Sequence, residues 1–436
     1  MQALQALQAL QALQALQALQ ALREKKSMDA QRILSFYRGK KVFITGHTGF
    51  KGTWLCQLLV QAGAEVTGYA LEPPTEPSLF ALTEMEKRVR SVRGDVRDGQ
   101  ALLAAMQAAR PDVVLHLAAQ PIVRESYRSP VLTYETNVMG TVHLLEAVRR
   151  CESVRSVLNV TTDKVYENRE WVWGYRESDP LDGFDPYSNS KSCSELVTHS
   201  YRQSFFTGTD GAPLVPVSTA RAGNVIGGGD FAADRIIPDC VRALERGEVI
   251  AVRSPYSTRP YQHVLEPLYC YLMIAAAQAG GFAPEERGDD KVSAGGLAGS
   301  GHSAGKTPES GFSVKSADAG APVRSPREYV GAYNVGPDDC DCVTTGALVD
   351  LFCRCYGEGA RWESRAEQNA PHEAGFLKLD CSKLKQTFGW RPRWHIAECM
   401  EKVCEWSRAY LHGENVQAVM ERQIAEFFRG NGRTGG

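Results

Sequence analysis

Tyr187 and Lys191 stand four residues apart at the opening of a helical pattern, so both project from one helix face. A phenol so placed can take a proton from a substrate hydroxyl when a neighbouring ammonium and the charge of a bound cofactor lower its pKa. Upstream, the apolar run 154–160 ends in Thr161-Thr162-Asp163-Lys164-Val165-Tyr166. On that polar strand tip, Thr161 or Thr162 can bond the same substrate oxygen. A third stretch, Gly46-His47-Thr48-Gly49-Phe50-Lys51-Gly52, follows the apolar residues 42–44 and opens a helix running to about residue 61. A Gly-rich turn between strand and helix lets backbone N–H groups approach a pyrophosphate at the helix N-terminus. Together the three stretches predict a dinucleotide site beside a proton-transfer pair.

The elements that must position these residues alternate from residue 41 onward. Strand patterns lie at 41–45, 65–70, 89–93, 113–117, 154–160 and 215–220, with helical patterns between them, notably at 99–109, 130–150 and 188–206. Continuous apolar strands separated by helices predict an α/β fold, a Rossmann-type doubly wound parallel sheet with a smaller C-terminal substrate-binding lobe. The domains expected are a low-complexity extension (1–27), a dinucleotide-binding domain (28–224) and a lobe (225–430) intertwined with the first. Residues 280–328 are rich in Gly, Ser, Ala, Pro and charge, and are expected to form a disordered insertion ahead of a strand at 333–335. Trp390, Trp394 and Trp406 are expected to anchor the helical C-terminal part.

Residues 2–22 repeat Gln-Ala-Leu seven times. A three-residue period advances about 300° on a helix, so the leucines drift by about 60° per repeat and form no apolar stripe. The repeat has no basic n-region and no continuous apolar core, so it reads as neither signal peptide nor membrane span. Met28 is the start expected for the folded protein, and a chain beginning there is expected to keep full activity.

Composition narrows the function classes. The 436 residues carry 43% hydrophobic and 23% charged side chains with a formal net charge of −2, which argues against a nucleic-acid or membrane partner. The 12 cysteines are scattered without a disulfide framework, as in a reducing cytoplasm. Cys340-x-Cys342 and Cys353-x-Cys355 are spaced too closely for structural zinc pairs, so no metal is expected.

At the cofactor end, the small residues of His116-Leu117-Ala118-Ala119-Gln120 would let a dinucleotide backbone come close. Glu72, after the second strand, is a candidate ribose partner. No Lys or Arg occurs between Thr53 and Glu86, so a 2′-phosphate would find no partner there, and NAD is expected over NADP. Lys51 is the one contrary sign. Asp95, with Val96, is a candidate adenine contact; its plainer role is a turn before the helix.

These motifs resemble the extended short-chain dehydrogenase/reductase family, specifically its nucleotide-sugar 4,6-dehydratases, over 39–279 and 330–410. The likeness rests on the Gly46–Gly52 loop, Tyr69–Thr75, Thr161–Asn168, Arg221–Pro238, Arg259–Pro267, His372-Glu373-Ala374 and Leu379–Lys383. Phe231 and Tyr261 depart from the pattern, which has Trp at both.

The resemblance implies NAD as cofactor, a nucleotide-sugar substrate of the CDP-glucose subgroup, and a homodimer built on helices 130–150 and 188–206. It implies that Tyr187, aided by Thr162 and Lys191, deprotonates the sugar 4-hydroxyl. Asp163 would be the acid for the departing 6-hydroxyl, and Lys164 the base at C5 or an electrostatic stabiliser of the enolate. Cofactor contacts would come from Gly46, His47, Thr48, Gly49, Phe50, Lys51, Gly52, Asp95, Val96, Leu117, Ala118 and Ala119, with Tyr187 and Lys191. Gln120, Arg221, Asn224, Arg235, Arg253, Arg259, Gln262 and His263 are the substrate candidates, the arginines as a diphosphate clamp. Asn137 is expected to bridge strand backbones. A nucleotide-sugar epimerase is the alternative, in which Asp163 and Lys164 would be idle.

Overall fold

The computed structural model describes residues 30–208, 214–281, 325–365 and 375–429. The Gln-Ala-Leu repeat, nearly all of the expected insertion and the His372-Glu373-Ala374 motif lie outside those residues. Pro326–Tyr329 is described, as a single turn with Tyr329 buried, so the expected insertion ran too far at its C-terminal end.

Apolar strands covered on both faces make one seven-stranded parallel sheet. Its strands are β1 (Lys41–Thr45), β2 (Glu65–Ala70), β3 (Arg90–Arg93), β4 (Val113–His116), β5 (Ser156–Val160), β6 (Val217–Ala222) and β7 (Ala332–Val335). The order is β7-β6-β5-β4-β1-β2-β3, every pairing parallel. The strand order reverses between β1 and β4, which opens a crevice beyond their carboxyl ends. Helices α1 (Phe50–Gln61), α2 (Gly99–Ala109), α3 (Gly140–Arg149) and α4 (Pro186–Phe205) provide the crossovers. One face packs Phe43, Val114 and Val157 against Leu102, Met106, Leu144 and Leu145. The other packs Ile44, Leu115 and Leu158 against Trp54, Leu58 and the wholly buried helix α5 (Leu265–Gln278).

Three features set the position of the site. Ahead of α3 the helix makes a π turn, Glu135–Met139, which turns Asn137 inward. Asn137 then accepts from Gln120 N (2.8 Å) and donates to Gln120 O (3.1 Å) and Ser190 Oγ (2.9 Å), tying the loop after β4 to α4 instead of bridging two strand backbones as expected. Next, Asp185 caps α4 by accepting from Ser188 N (3.0 Å), with Pro186 in the first turn, so the helix begins one residue before Tyr187. Finally, β6 extends two residues beyond the expected boundary and is buried throughout, which alters the role of Arg221. The tryptophans behave as core anchors: Trp390, Trp394 and Trp406 are all buried. Phe231 packs on Trp406 and Tyr410, an all-aromatic contact that a smaller ring than Trp still fills.

Candidate active site

The Gly-rich loop is shaped by close contacts. Gly46 has φ +77°, and a Cβ there would lie 2.7 Å from Ala118 N; a Cβ on Gly52 would lie 2.1 Å from Gly46 O. Only glycine allows the turn to press on β4 while α1 rises immediately behind it. Thr45 fastens the same junction, since its hydroxyl meets His116 Nδ1 (2.7 Å) and accepts from Leu117 N and Ala118 N (both 3.2 Å). Gly49 precedes α1 without a side-chain cap, and the first turn has no acidic residue. The N–H groups and positive dipole end are therefore left for an anion, and the loop fits a dinucleotide pyrophosphate.

His47 does not face a cofactor mouth. It is fully buried, a Cβ on Gly68 would fall 2.1 Å from its ring, and its Nε2 meets Ser91 Oγ at 2.8 Å. Burial, reinforced by Arg93, lowers its pKa to about 4, so it is a neutral support beneath the loop. Thr48 donates to Leu71 O (3.0 Å). Asp95 is bound by Arg97 through both carboxylate oxygens (2.6–2.9 Å), the geometry of the turn residue, and Val96 is core, its carbonyl receiving His143. At the end of β2 a cation is present after all. Arg93 of β3 lies opposite Ala70 and pairs with Glu72 (2.8 Å) and Glu86 (3.0 Å). Counting charges along the chain missed it because the neighbour comes from the adjacent strand.

Beyond the loop, a cavity of about 270 Å³ is walled by Lys51, Arg124, Thr161, Thr162, Asp163, Lys164, Tyr187, Asn224, Arg235, Arg253, Arg259 and Tyr261, among others. Tyr187, the strand tip and three of the four candidate arginines thus share one space, while Lys191 is not part of its wall. Thr162 donates to Asp163 Oδ1 (3.0 Å), while Asp163 Oδ2 is buried with no hydrogen-bond partner. Burial raises the Asp163 pKa against the pull of Lys164, Thr162, Arg259 and Lys51, the condition that keeps a carboxyl protonated to act as an acid.

Lys191 donates to Val160 O (3.2 Å), and burial lowers its pKa to about 8. Tyr187 does not show the lowered pKa expected from its spacing to Lys191. Burial pushes it up to about 12, with the Thr162 hydroxyl and the more distant Arg235 pulling the other way. Lys191 is turned toward the β5 carbonyl, so any activation of the phenol must come with bound cofactor and substrate.

Four substrate candidates lie outside the cavity wall. Arg221 is inside β6, where its guanidinium bonds Glu195 (3.0 Å) and Tyr166 Oη (2.9 Å). Glu195 also accepts from Thr161 (2.5 Å) and Thr219 (2.7 Å), so the pair holds α4 to the sheet. Gln262 donates to Val335 O (2.9 Å), and buried His263 sits between Trp54 and Trp394. Gln120 spends its side chain on Thr133 (2.9 Å) and Ile122 N (2.6 Å). Replacing Arg221 with Met is therefore expected to lower stability by about 3 kcal/mol by stranding a buried carboxylate, with KM for the substrate nearly unchanged. Chemical denaturation beside steady-state kinetics checks this; a large KM rise at full stability would return Arg221 to the substrate site.

The cavity also gathers residues the sequence reading did not single out. Arg124 enters from the short helix Val123–Arg128, near Asp234 (3.9 Å), which also binds Arg253 (2.5 Å). Asp230 pairs with Arg235 (2.9 Å), and Tyr261 Oη meets Thr345 Oγ1 (3.0 Å). Lys51 was assigned to the cofactor alone, yet it shares the cavity with Asp163, and burial and Arg235 lower its pKa to about 8. Arg124 follows closely on the β4 exit loop at the sheet's reversal, a position that could have flagged it.

Residues 43–283 match the family model described as GDP-mannose 4,6 dehydratase. The chain is 42% identical over 394 residues to CDP-glucose 4,6-dehydratase of Salmonella typhimurium, covering 90% of this chain and 97% of that protein. It is 30% identical to dTDP-glucose 4,6-dehydratase of Xanthomonas campestris pv. campestris over 48% of this chain and 60% of that one. Among solved structures, UDP-glucose 4-epimerase of Thermotoga maritima (TM-score 0.64, 18% identity, 85% of this chain and 99% of that one) has the same fold. So does dTDP-glucose 4,6-dehydratase of Bacillus anthracis in complex with NAD (TM-score 0.62, 18% identity, 84% and 96%). Fold, loop and cavity agree with these matches: the chain belongs to the GDP-mannose 4,6 dehydratase family of nucleotide-sugar dehydratases.

Proposed function

We propose that the protein dehydrates CDP-glucose to CDP-4-dehydro-6-deoxyglucose with NAD held in the Gly-rich cleft. The observation that carries this reading is Asp163, a buried carboxyl with raised pKa and an unpartnered Oδ2, in the same cavity as Tyr187. An epimerase needs no acid there. Held by the Gly46–Gly52 loop, NAD would supply the hydride acceptor for sugar C4 and, once reduced, the hydride donor for C6. Tyr187 takes the 4-hydroxyl proton, with Thr162 on the same oxygen and Lys191 adding positive charge nearby. The 4-ketone acidifies the C5 proton; Lys164 takes it and as an ammonium steadies the enolate, Asp163 gives its proton to the 6-hydroxyl as it departs as water, and the proton on Lys164 returns to C5 once C6 is reduced. Arg235, Arg253 and Arg259, joined by Arg124, hold the diphosphate, and Asn224 lines its entrance.

CDP over other bases is supported by the likeness to the Salmonella enzyme over its near-entire length. Offering CDP-, dTDP- and UDP-glucose separately tests it: loss of one water is expected at a kcat/KM highest for CDP-glucose, and preference for another base refutes the assignment. NAD over NADP is supported by Glu72 and Glu86 occupying Arg93. Glu72→Ala is expected to narrow that preference by about tenfold, the worth of about 1.4 kcal/mol, measured as affinity for NADP against NAD; an unchanged ratio removes Glu72 from selection.

A homodimer is supported by exposed apolar residues on adjacent helices: Val131, Leu132, Tyr134 and Met139 beside Leu196 and Phe205. The setting proposed is cytoplasmic, supplying deoxysugars for cell-surface polysaccharide such as lipopolysaccharide. Among the described residues no helix is long and apolar enough to cross a membrane.

A further inference from the structure

Away from the cavity, Cys340, Asp341 and His395 bring a thiol, a carboxylate and an imidazole together, their ligand atoms all within 4.8 Å of one another. The sequence reading weighed cysteine pairs within a segment, whereas the fold pairs segments: Cys340 and Asp341 lie in the turn Asp339–Asp341, and His395 precedes the helix Ile396–Leu411. Asp341 Oδ1 accepts from Ile396 N (3.0 Å), which fixes the carboxylate. That leaves Oδ2 facing His395 Nδ1 at 2.8 Å and Cys340 Sγ at 3.8 Å.

A tetrahedral ion bound at about 2.0 Å by N and O and about 2.3 Å by S holds its ligands about 3.3–3.6 Å apart. The observed spacings straddle that range, so small side-chain shifts would seat an ion. One nitrogen, one oxygen and one sulfur suit a borderline-soft cation of the zinc class over Mg²⁺ or Ca²⁺. The adjacent lysines are engaged elsewhere, Lys385 with Asp338 and Lys378 with Asp339. The Asp341 side chain is 6% exposed and that of His395 60%, so the buried carboxylate forms the floor and solvent can complete the fourth position.

We propose that Cys340, Asp341 and His395 bind one zinc-class divalent cation, which staples this turn to the C-terminal helix. Binding sends the thiol proton to solvent and shifts the imidazole proton from Nδ1 to Nε2. The stapled turn runs directly into Val343–Thr344 and Thr345, whose hydroxyl meets Tyr261 at the cavity wall. The ion would therefore brace that wall without touching the reacting atoms.

The test is titration of chelator-stripped, full-length protein with Co²⁺. One equivalent is expected to bind with a thiolate-to-cobalt charge-transfer band in the near ultraviolet, and Zn²⁺ to displace it. Cys340→Ser should remove that band, and His395→Ala should weaken Co²⁺ binding by at least about tenfold, the cost of losing even an outer-shell partner. Cys342→Ser should leave both band and affinity intact. Dehydratase turnover in each variant shows that it is folded. Absence of the band in the parent protein, or its survival in folded Cys340→Ser, overturns the proposal.

Discussion

Tyr187→Phe is expected to lower kcat by about a thousandfold while the protein remains folded and its affinity for CDP-glucose changes little. The side chain differs by one oxygen, and a positioned proton acceptor contributes roughly 10²–10⁴ in rate. The phenol is buried beside Thr162 and Asp163, so no solvent base can substitute for it. Burial holds its pKa at about 12. The phenol is therefore neutral until substrate and cofactor complete the site, and its removal should cost rate far more than binding. Steady-state kinetics with equilibrium binding separates the two. A variant retaining a tenth of the activity would mean that another group deprotonates the 4-hydroxyl.

Asp163→Asn should fail at a later step. Under the proposed roles, sugar oxidation uses Tyr187, Thr162 and Lys191, all retained, but the departing 6-hydroxyl loses its acid. A drop in overall kcat of about 10²–10³ is expected, and quenched reactions should contain 4-keto sugar that still carries its 6-hydroxyl. Because burial raises the Asp163 pKa, the acid form persists above the usual carboxylate range. Elimination in the parent enzyme should accordingly fade as pH rises through that pKa. Mass analysis of quenched single turnovers checks this. Normal dehydration by Asp163→Asn would shift the acid role to another cavity group, with half-buried Lys51 the first candidate.

What was legible in the sequence was local. The Gly46–Gly52 loop and the four-residue step from Tyr187 to Lys191 each depend on a few consecutive residues, and strand alternation set the sheet. Roles decided by depth or by distant neighbours were not legible. Arg221 reads as a cleft arginine until β6 proves to end two residues later, and Glu195, whose position in space only the fold reveals, claims its charge. His263 and Gln262 look polar in the chain, yet they lie under Trp394 and against β7. Arg93 reaches the β2 tip from β3, and Arg124 and Lys51 join the cavity because the sheet reverses there. The raised pKa of Tyr187 follows from burial, which spacing on a helix cannot convey.

The most direct measurement follows deuterium from C4 of labelled CDP-glucose during turnover with unlabelled NAD. Internally balanced dehydration predicts a product lighter by one water, with the deuterium at C6. Deuterium remaining at C4 of a sugar of unchanged mass would identify an epimerase and contradict the role given to Asp163.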